Sequence, residues 1–173
     1  MPASDLSNRL KKRFSVLQKW AKRSEVSCFR VYDKDLPDYP LIVEWFEGAV
    51  LVWVYDRKRD ETEDLRNRFW SEVREAVLLA LGCDERKLFM KSRRPQRGVY
   101  VQYEKLGVEQ QNMVVQESGL QFELNLSDYL DVGLFLDHRY TRNYVRSLAA
   151  GKRVLNLFAY SGSFSCYAAA GGA

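Results

Sequence analysis

Residues 153–170 carry the pattern with the clearest chemical meaning in this 173-residue chain. A short apolar run from Val154 to Phe158 leads into a small-residue turn from Ala159 to Ser163, and Ala-rich residues continue to Ala170. This order is typical of the first strand, turn and helix of a nucleotide-binding sheet. A glycine in the turn lets backbone N–H groups approach a ligand, and the helix adds the positive end of its dipole. We therefore predict a strand at residues 154–158 followed by a ligand-binding turn.

The predicted turn matches neither of two well-known phosphate-binding motifs. Phe158 and Tyr160 stand where G-x-G-x-x-G would place its first two glycines, which disfavours a dinucleotide oxidoreductase. No Gly-Lys-Ser/Thr follows the turn, so it is not a P-loop either. Spacing alone leaves two interpretations open: a ligand-binding turn, or a small-residue turn with a structural role only.

Cysteine and histidine usage disfavours several other kinds of site. The chain has three cysteines and one histidine, and no two cysteines have CxxC spacing. We therefore predict no metal site and no disulfide framework, and expect reduced thiols that fill apolar space. His138 has no partner pattern for acid–base catalysis, which favours a structural or minor role.

Charge is unevenly distributed along the sequence. The net charge is only +4, but residues 1–30 carry +6, residues 31–85 carry −7 and residues 86–105 carry +6. Two basic blocks around an acidic middle suggest a face that binds a polyanion. For the first block, ordinary solvated surface charge is the alternative.

The second basic block contains a turn that mixes cations with aromatic side chains. Such surfaces hold RNA phosphates and stack unpaired bases. We predict RNA-binding residues in and around this turn: Lys91, Arg93, Arg94, Arg97 and Tyr103.

Hydrophobic periodicity divides the chain into short helices and strands. Glu47-Gly48 and Ser118-Gly119 are typical of tight hairpin turns, and Gly82 is typical of the residue that follows a helix. Helices are predicted at residues 4–22, 65–80 and 137–150, and strands at 28–32, 41–47, 49–55, 87–94, 113–117 and 120–126.

This order of elements predicts two domains. Residues 1–126 form an α+β domain that contacts RNA, and residues 127–173 begin an α/β Rossmann-like domain that is incomplete within the chain. The first residues lack the apolar run of a signal peptide, and no stretch approaches the ~20 apolar residues of a membrane span. We therefore expect a soluble, cytoplasmic protein.

Two segments make the sequence similar to a known family. Asn125 to Arg139 (NLSDYLDVGLFLDHR) and Leu155 to Ser163 (LNLFAYSGS) resemble large-subunit ribosomal RNA methyltransferases of the RlmK/RlmI type. These are class I enzymes that use S-adenosylmethionine. Segments that resemble the RlmK half of the bifunctional RlmKL enzymes extend the similarity to nearly the whole chain: Trp20–Lys22, Cys28–Asp33, Asp35–Tyr39 and Lys105–Gly107.

The resemblance implies a binding site for S-adenosylmethionine. Asn156 holds the place that is usually acidic in the first cofactor motif of class I enzymes. Arg139 would contact the cofactor carboxylate through two N–H groups, and Asp137 would cap the following helix or accept from the cofactor amino group. The cofactor-binding residues implied by the resemblance are Phe135, Asp137, Arg139, Phe158, Ala159, Tyr160, Ser161, Gly162 and Ser163.

The reaction implied by the resemblance is methyl transfer to N7 of a guanine in 23S ribosomal RNA. Guanine N7 is itself nucleophilic, so the enzyme need only align it with the methyl group and stabilise the developing charge. Two alternatives stay open: the related cytosine-C5 reaction, which needs a cysteine nucleophile, and a non-catalytic RNA-binding module.

Class I enzymes also hold the cofactor ribose and base through segments that follow the first cofactor motif. Those segments have no counterpart between the turn and Ala173. We therefore expect the rest of the methyltransferase domain to lie outside this chain, the catalytic residues to lie there too, and residues 1–173 alone to be inactive.

Overall fold

The computed structural model describes residues 2–57, 59–60, 62–93 and 111–173. The chain divides into two compact units. The first unit contains residues 1–23 and 28–99, and the second contains residues 24–27 and 100–173. In chain order, the helices and strands of the described residues are α1 (Pro2–Arg23), β1 (Cys28–Asp33), β2 (Leu41–Phe46), β3 (Ala49–Tyr55), α2 (Glu63–Leu81), β4 (Leu88–Arg93), β5 (Asn112–Glu117), β6 (Leu120–Asn125), α3 (Arg139–Leu148) and α4 (Ser163–Ala170).

The first unit is built on a four-stranded sheet in the order β1-β2-β3-β4. Strands β1, β2 and β3 are antiparallel neighbours, as the predicted hairpin requires. Strand β4 runs parallel to β3, with Val50 opposite Leu88. A parallel neighbour needs a crossover connection, and helix α2 provides it.

Helices α1 and α2 supply apolar side chains to the core of the first unit. Leu6 and Leu10 of α1 are fully buried, and so are Val73 and Val77 of α2. These residues recur at helical spacing, so each helix turns one apolar side inward and leaves charged residues on the other. Together with strand residues such as Val52, they form one continuous hydrophobic cluster.

The local signals at Gly82 and at the two hairpin turns are confirmed, and α2 also begins with a side-chain cap that was not predicted. Thr62 Oγ1 accepts a hydrogen bond from Leu65 N–H at 3.3 Å at the start of α2. Gly82 follows the helix in a left-handed conformation, with φ 63°. Both hairpin turns place their two central residues at positive φ, the geometry that matches the twist of paired strands.

The second unit consists of the β5–β6 hairpin, a 3-10 turn at Leu136–His138 and helices α3 and α4. Phe122 of β6 stacks on Tyr167 of α4, with ring centroids 6.1 Å apart and an interplanar angle of 9°. Tyr167 is fully buried. The hairpin therefore packs on α4.

The predicted strand at residues 154–158 is wrong. This segment has no strand conformation, and Leu155 and Phe158 are 81% and 92% exposed. A strand needs a neighbour to bond its N–H and C=O groups and a layer to cover its side chains. No strand of the described residues pairs with this segment, so its apolar side chains face solvent.

The compact units do not follow the predicted domain boundary at residues 126/127. The β5–β6 hairpin, which we placed in the first domain, belongs to the second unit. The physical reason is a set of buried contacts between this hairpin and α3 and α4.

Within the described residues, no helix is both long enough and apolar enough to cross a membrane.

Candidate cofactor site

The GLFLDHR segment, residues 133–139, presents one aromatic ring outward between two buried leucines. Leu134 and Leu136 are 4% and 6% exposed, whereas Phe135 between them is 41% exposed. The alternation anchors the segment and leaves the Phe135 ring accessible. Residue 135 is one of the positions that the family resemblance assigns to the cofactor.

An aromatic cluster joins this segment to the turn at residues 158–163. The ring of Phe135 lies 5.2 Å from that of Tyr160 and 6.5 Å from that of His138, between centroids. His138 in turn lies 6.1 Å from Phe164 of α4. The two motifs that carry the family resemblance are therefore neighbours in space. His138 is a member of this cluster.

Asn156 fixes the shape of the turn. Its Oδ1 accepts from the Phe158 N–H at 3.2 Å, and its Nδ2 donates to Ser165 Oγ at 3.1 Å. Gly162 N–H donates to the Ala159 carbonyl at 2.6 Å and closes the turn. An amide both donates and accepts, which a carboxylate cannot do, so asparagine suits the position that is acidic elsewhere.

Gly162 ends the turn in a left-handed conformation, directly before helix α4. Its φ is 73°, and a Cβ at this position would meet no atom within 4 Å. Helix α4 begins at the next residue, Ser163, and its N-cap residue, Gly162, has no side chain that could cap the helix. The first N–H groups of a helix have no intrahelical acceptor, so they are suited to a polar or anionic ligand group.

Arg139 is held in a buried ion-pair network around Glu117. Arg139 Nε lies 2.7 Å from Glu117 Oε2, and Arg142 Nε donates to Glu117 Oε1 at 2.9 Å. Tyr167 Oη donates to the same Oε1 at 2.8 Å. The Glu117 side chain is 0% exposed, and those of Arg139 and Arg142 are 10% and 1% exposed. The network joins β5, α3 and α4.

Tyr167 and the second nitrogen of Arg142 also have hydrogen-bond partners in the network. Burial, and after it the negative charge of Glu117, raise the pKa of Tyr167 to about 12. The phenol therefore stays neutral and acts as a donor to the carboxylate. Arg142 Nη1 donates to the Phe135 carbonyl at 2.8 Å, so the network also holds the residue that presents the exposed ring.

Two predicted cofactor residues, Arg139 and Asp137, have defined positions in the second unit. Arg139 has Glu117 as its carboxylate partner, so a contact with the cofactor stays a prediction. Asp137 is exposed, and α3 has His138 at its N-cap with no side-chain hydrogen bond, so Asp137 does not cap the helix.

Sequence reasoning missed Glu117. The signal was available, because Val115 and Glu117 both point inward from β5 while their neighbours are exposed. An acidic residue at an inward position of a half-buried strand is almost always paired.

The predicted RNA-binding residues divide into three groups. Lys91 lies in strand β4, is 9% exposed and has its Nζ 5.7 Å from the Trp53 ring centroid, a location that does not suit a direct phosphate contact. Arg93 at the end of β4 is exposed. Predicted residues outside the described part of the chain are Arg94, Arg97 and Tyr103.

Comparison with protein families shows which family the chain belongs to. The family of S-adenosylmethionine-dependent methyltransferases matches residues 28–173. The chain belongs to this family. The match includes both the first unit's sheet and the motifs around the aromatic cluster, and it confirms the resemblance found in the sequence.

Relatives of this chain carry the name ribosomal RNA large subunit methyltransferase K/L, and two of them illustrate the match. The relative from Hahella chejuensis is 43% identical over 166 residues, which is 96% of this chain and 23% of the relative. The relative from Vibrio cholerae is 43% identical over 171 residues, which is 99% of this chain and 24% of the relative. The chain thus spans about a quarter of the length of these curated relatives.

Solved structures show the same fold. The crystal structure of SMU.776 complexed with SAH matches with a TM-score of 0.69 and 23% identity, over 99% of this chain and 42% of the other. A structure from Streptococcus mutans matches with a TM-score of 0.69 and 22% identity, over 99% of this chain and 43% of the other. The mixed α and β architecture expected from the sequence is confirmed.

Proposed function

We propose that this chain forms part of an S-adenosylmethionine-dependent methyltransferase that modifies 23S ribosomal RNA. One observation carries the proposal: 43% identity over almost the whole chain to relatives named ribosomal RNA large subunit methyltransferase K/L. The aromatic cluster supports it, because Phe135 and Tyr160 bring together the two motifs expected at one cofactor site.

The turn and its surroundings fit one end of the cofactor. The backbone from Phe158 to Ser163, with the open space at Gly162 and the uncapped start of α4, suits the polar methionine end. The exposed rings of Phe135 and Tyr160 offer an apolar surface beside it. When bound, the cofactor supplies an electrophilic methyl group. In the proposal, Glu117 and Arg142 hold the Phe135 segment in place for binding.

The proposed acceptor is N7 of a guanine. Guanine N7 carries a lone pair and is itself nucleophilic, so the protein would need only to orient it toward the methyl donor and stabilise the developing charge, without a covalent bond to the protein. The cytosine-C5 alternative yields a different product. Mass spectrometry of nuclease-digested 23S RNA separates 7-methylguanine from 5-methylcytosine by base mass and fragmentation.

An exchange of segments tests the proposal. In the exchange protein, residues 1–173 replace the segment that they match in the Vibrio cholerae relative. We expect it to methylate 23S RNA when purified and supplied with S-adenosylmethionine. An exchange protein that folds, as judged by circular dichroism, and binds RNA but transfers no methyl group would contradict the proposal.

Replacing Gly162 tests the cofactor turn. At φ 73° a β-branched residue is strained, whereas asparagine tolerates the left-handed region. We expect Gly162→Val to weaken S-adenosylmethionine binding by the exchange protein by roughly tenfold or more, because a strain of ~1–2 kcal/mol distorts the turn. Gly162→Asn is the matched control and should bind nearly normally. Isothermal calorimetry measures both, and a folded valine variant with normal affinity would remove the turn from the site.

The predicted basic turn at residues 91–97 is tested by RNA binding. A cation that neutralises a phosphate releases a counterion, so binding weakens as salt rises. In a plot of log affinity against log salt concentration, each phosphate contact that is lost makes the slope less steep by roughly 0.7–0.9. We expect the triple variant Arg93→Ala, Arg94→Ala, Arg97→Ala to lower the slope by about 2 and to weaken binding. Lys91→Ala should leave the slope unchanged, because Lys91 is buried. A triple variant with the slope of the unmodified chain would exclude this turn.

A further inference from the structure

The solvent side of helix α1 carries a concentrated positive charge. The helix is anchored by Leu6, Leu10, Phe14 and Ala21, none more than 7% exposed. On the opposite side lie five exposed cations, which span about 18 Å of the helix and roughly a third of its circumference at 1.5 Å and 100° per residue. This basic stripe consists of Lys11, Lys12, Lys19, Lys22 and Arg23.

The cations of the basic stripe differ from most of the arginines in the same unit. None of the five has an acidic partner among the residues that the structure describes. By contrast, Arg30 pairs with Glu44, and Arg57 pairs with Asp60. Within α1 itself, Arg9, just outside the stripe, pairs with Asp35. Ion pairing within the fold therefore does not account for the charge of the stripe.

The helix dipole accounts for only part of this charge. Cations stabilise a helix within its last turn, which explains Lys22 and Arg23. Lys11 and Lys12 lie near the middle of α1, beyond the reach of that effect. The only acidic residue in the helix is Asp5, in its first turn. A stripe of one sign costs self-repulsion that a bound polyanion would relieve.

The chemistry of the stripe favours RNA over a lipid surface. An amphipathic helix binds membranes by burying its apolar side in the lipid, but the apolar side of α1 is already in the protein core. The stripe contains four lysines, which act as mobile point charges on phosphates and do not read bases. Ser15 and Gln18, between Lys12 and Lys19 in the sequence, are exposed, uncharged polar side chains that suit contacts with ribose 2′-hydroxyls.

We propose that the basic stripe of α1 docks on the phosphate backbone of a base-paired RNA segment, independently of its sequence. The proposal rests on the proposed function in one respect, since it takes ribosomal RNA as the partner. The stripe provides a second RNA contact, on a different element from Arg93 at the end of β4. It would hold the substrate while the methyl-transfer site acts elsewhere on the same RNA.

The test compares two variants of the full 173-residue chain that lose the same charge. The stripe variant changes Lys11, Lys12, Lys19, Lys22 and Arg23 to glutamine, which keeps a high helix propensity. The control variant changes five exposed cations elsewhere in the first unit to glutamine: Arg59, Arg68, Arg74, Arg86 and Lys87. Fluorescence anisotropy measures binding to a 20-base-pair RNA duplex of arbitrary sequence as a function of potassium chloride.

We expect the stripe variant to bind the duplex at least ~30-fold more weakly near 0.1 M salt, with a salt slope smaller by about 3–4. The control variant should retain affinity within about threefold and a slope within about one, since its arginines are paired with acids. Equal losses in both variants would show an effect of net charge alone and overturn the proposal. An unchanged stripe variant would also overturn it. If the stripe variant does not fold, Lys11→Gln with Lys19→Gln replaces it, with Arg68→Gln and Arg74→Gln as control.

Two further ligands identify the partner. A DNA duplex of the same sequence should bind more weakly than RNA, and vesicles with 30% phosphatidylserine should bind weakly and equally to both variants. Stripe-dependent binding to vesicles stronger than to RNA would overturn the proposal in favour of a lipid partner. Methylation by the exchange protein separates the two proposals. If methylation occurs but the stripe variant binds RNA as tightly as the unmodified chain, only the docking proposal fails. If stripe-dependent RNA binding occurs without methylation, only the proposed function fails.

Discussion

Glu117→Ala is expected to destabilise the second unit by ~3–5 kcal/mol, most of the ~5 kcal/mol found at the low end of ordinary domain stability. The substitution removes the carboxylate that both Arg139 and Arg142 contact, and leaves the guanidinium group of Arg142, 1% exposed, buried without it. An uncompensated buried charge costs far more than the intact pair contributes. Tyr167 Oη would lose an acceptor as well.

Glu117→Gln should be nearly as damaging. The amide keeps the size of the carboxylate but removes the charge that balances two arginines, and its NH₂ group would face guanidinium donors. Glu123→Gln is the matched control, because Glu123 is an exposed glutamate on the neighbouring strand β6. We expect that substitution to change stability by less than ~0.5 kcal/mol.

Two probes follow the two units separately. All four tryptophans lie in the first unit, at positions 20, 45, 53 and 70, so tryptophan fluorescence reports on that unit. Amide hydrogen exchange in residues 112–125 and 139–148 reports on the second unit. Strong protection of these segments in Glu117→Ala would show that the network contributes little to stability.

The elements that the sequence predicted correctly depend on short-range signals. The β2–β3 and β5–β6 hairpins rest on two-residue turns with glycine, and the end of α2 rests on Gly82. Each signal acts within a few residues of where it stands, so it can be recognised without knowledge of tertiary contacts. The same holds for the apolar periodicity of α1.

The features that the sequence did not predict depend on residues far apart in the chain. Glu117 meets arginines 22 and 25 residues away, and nothing near Glu117 in sequence indicates them. The segment Val154–Phe158 has the composition of a strand, but pairing and coverage decide whether a strand forms. The proximity of Phe135 and Tyr160 is likewise a tertiary contact, which only the family resemblance indicated.

Residues 1–173 alone are expected to bind S-adenosylmethionine at least ~100-fold more weakly than the exchange protein does. Small-molecule sites normally bury ~70–90% of the ligand surface. Here the turn and the Phe135 ring offer contacts to one end of the cofactor, and Phe158 is 92% exposed. The ribose and adenine would remain in water.

The missing strand at residues 154–158 adds to this effect. A turn presents its N–H groups with defined geometry when the preceding strand is fixed in a sheet. In this structure Leu155 and Leu157 are 81% and 78% exposed, so the segment before the turn lacks that support. Binding would have to order the segment, and that conformational entropy reduces affinity.

Calorimetry on the chain and on the exchange protein, at equal temperature and salt, measures the difference. A pair of variants in the exchange protein locates the site: Phe135→Ala should weaken binding, whereas Tyr144→Ala, which removes a 63% exposed ring on α3, should not. Methyl transfer by residues 1–173 should be undetectable for the same reason. Comparable cofactor affinity in the two proteins would mean that the 173 residues contain a complete binding site, and that its walls lie somewhere other than the turn and the aromatic cluster.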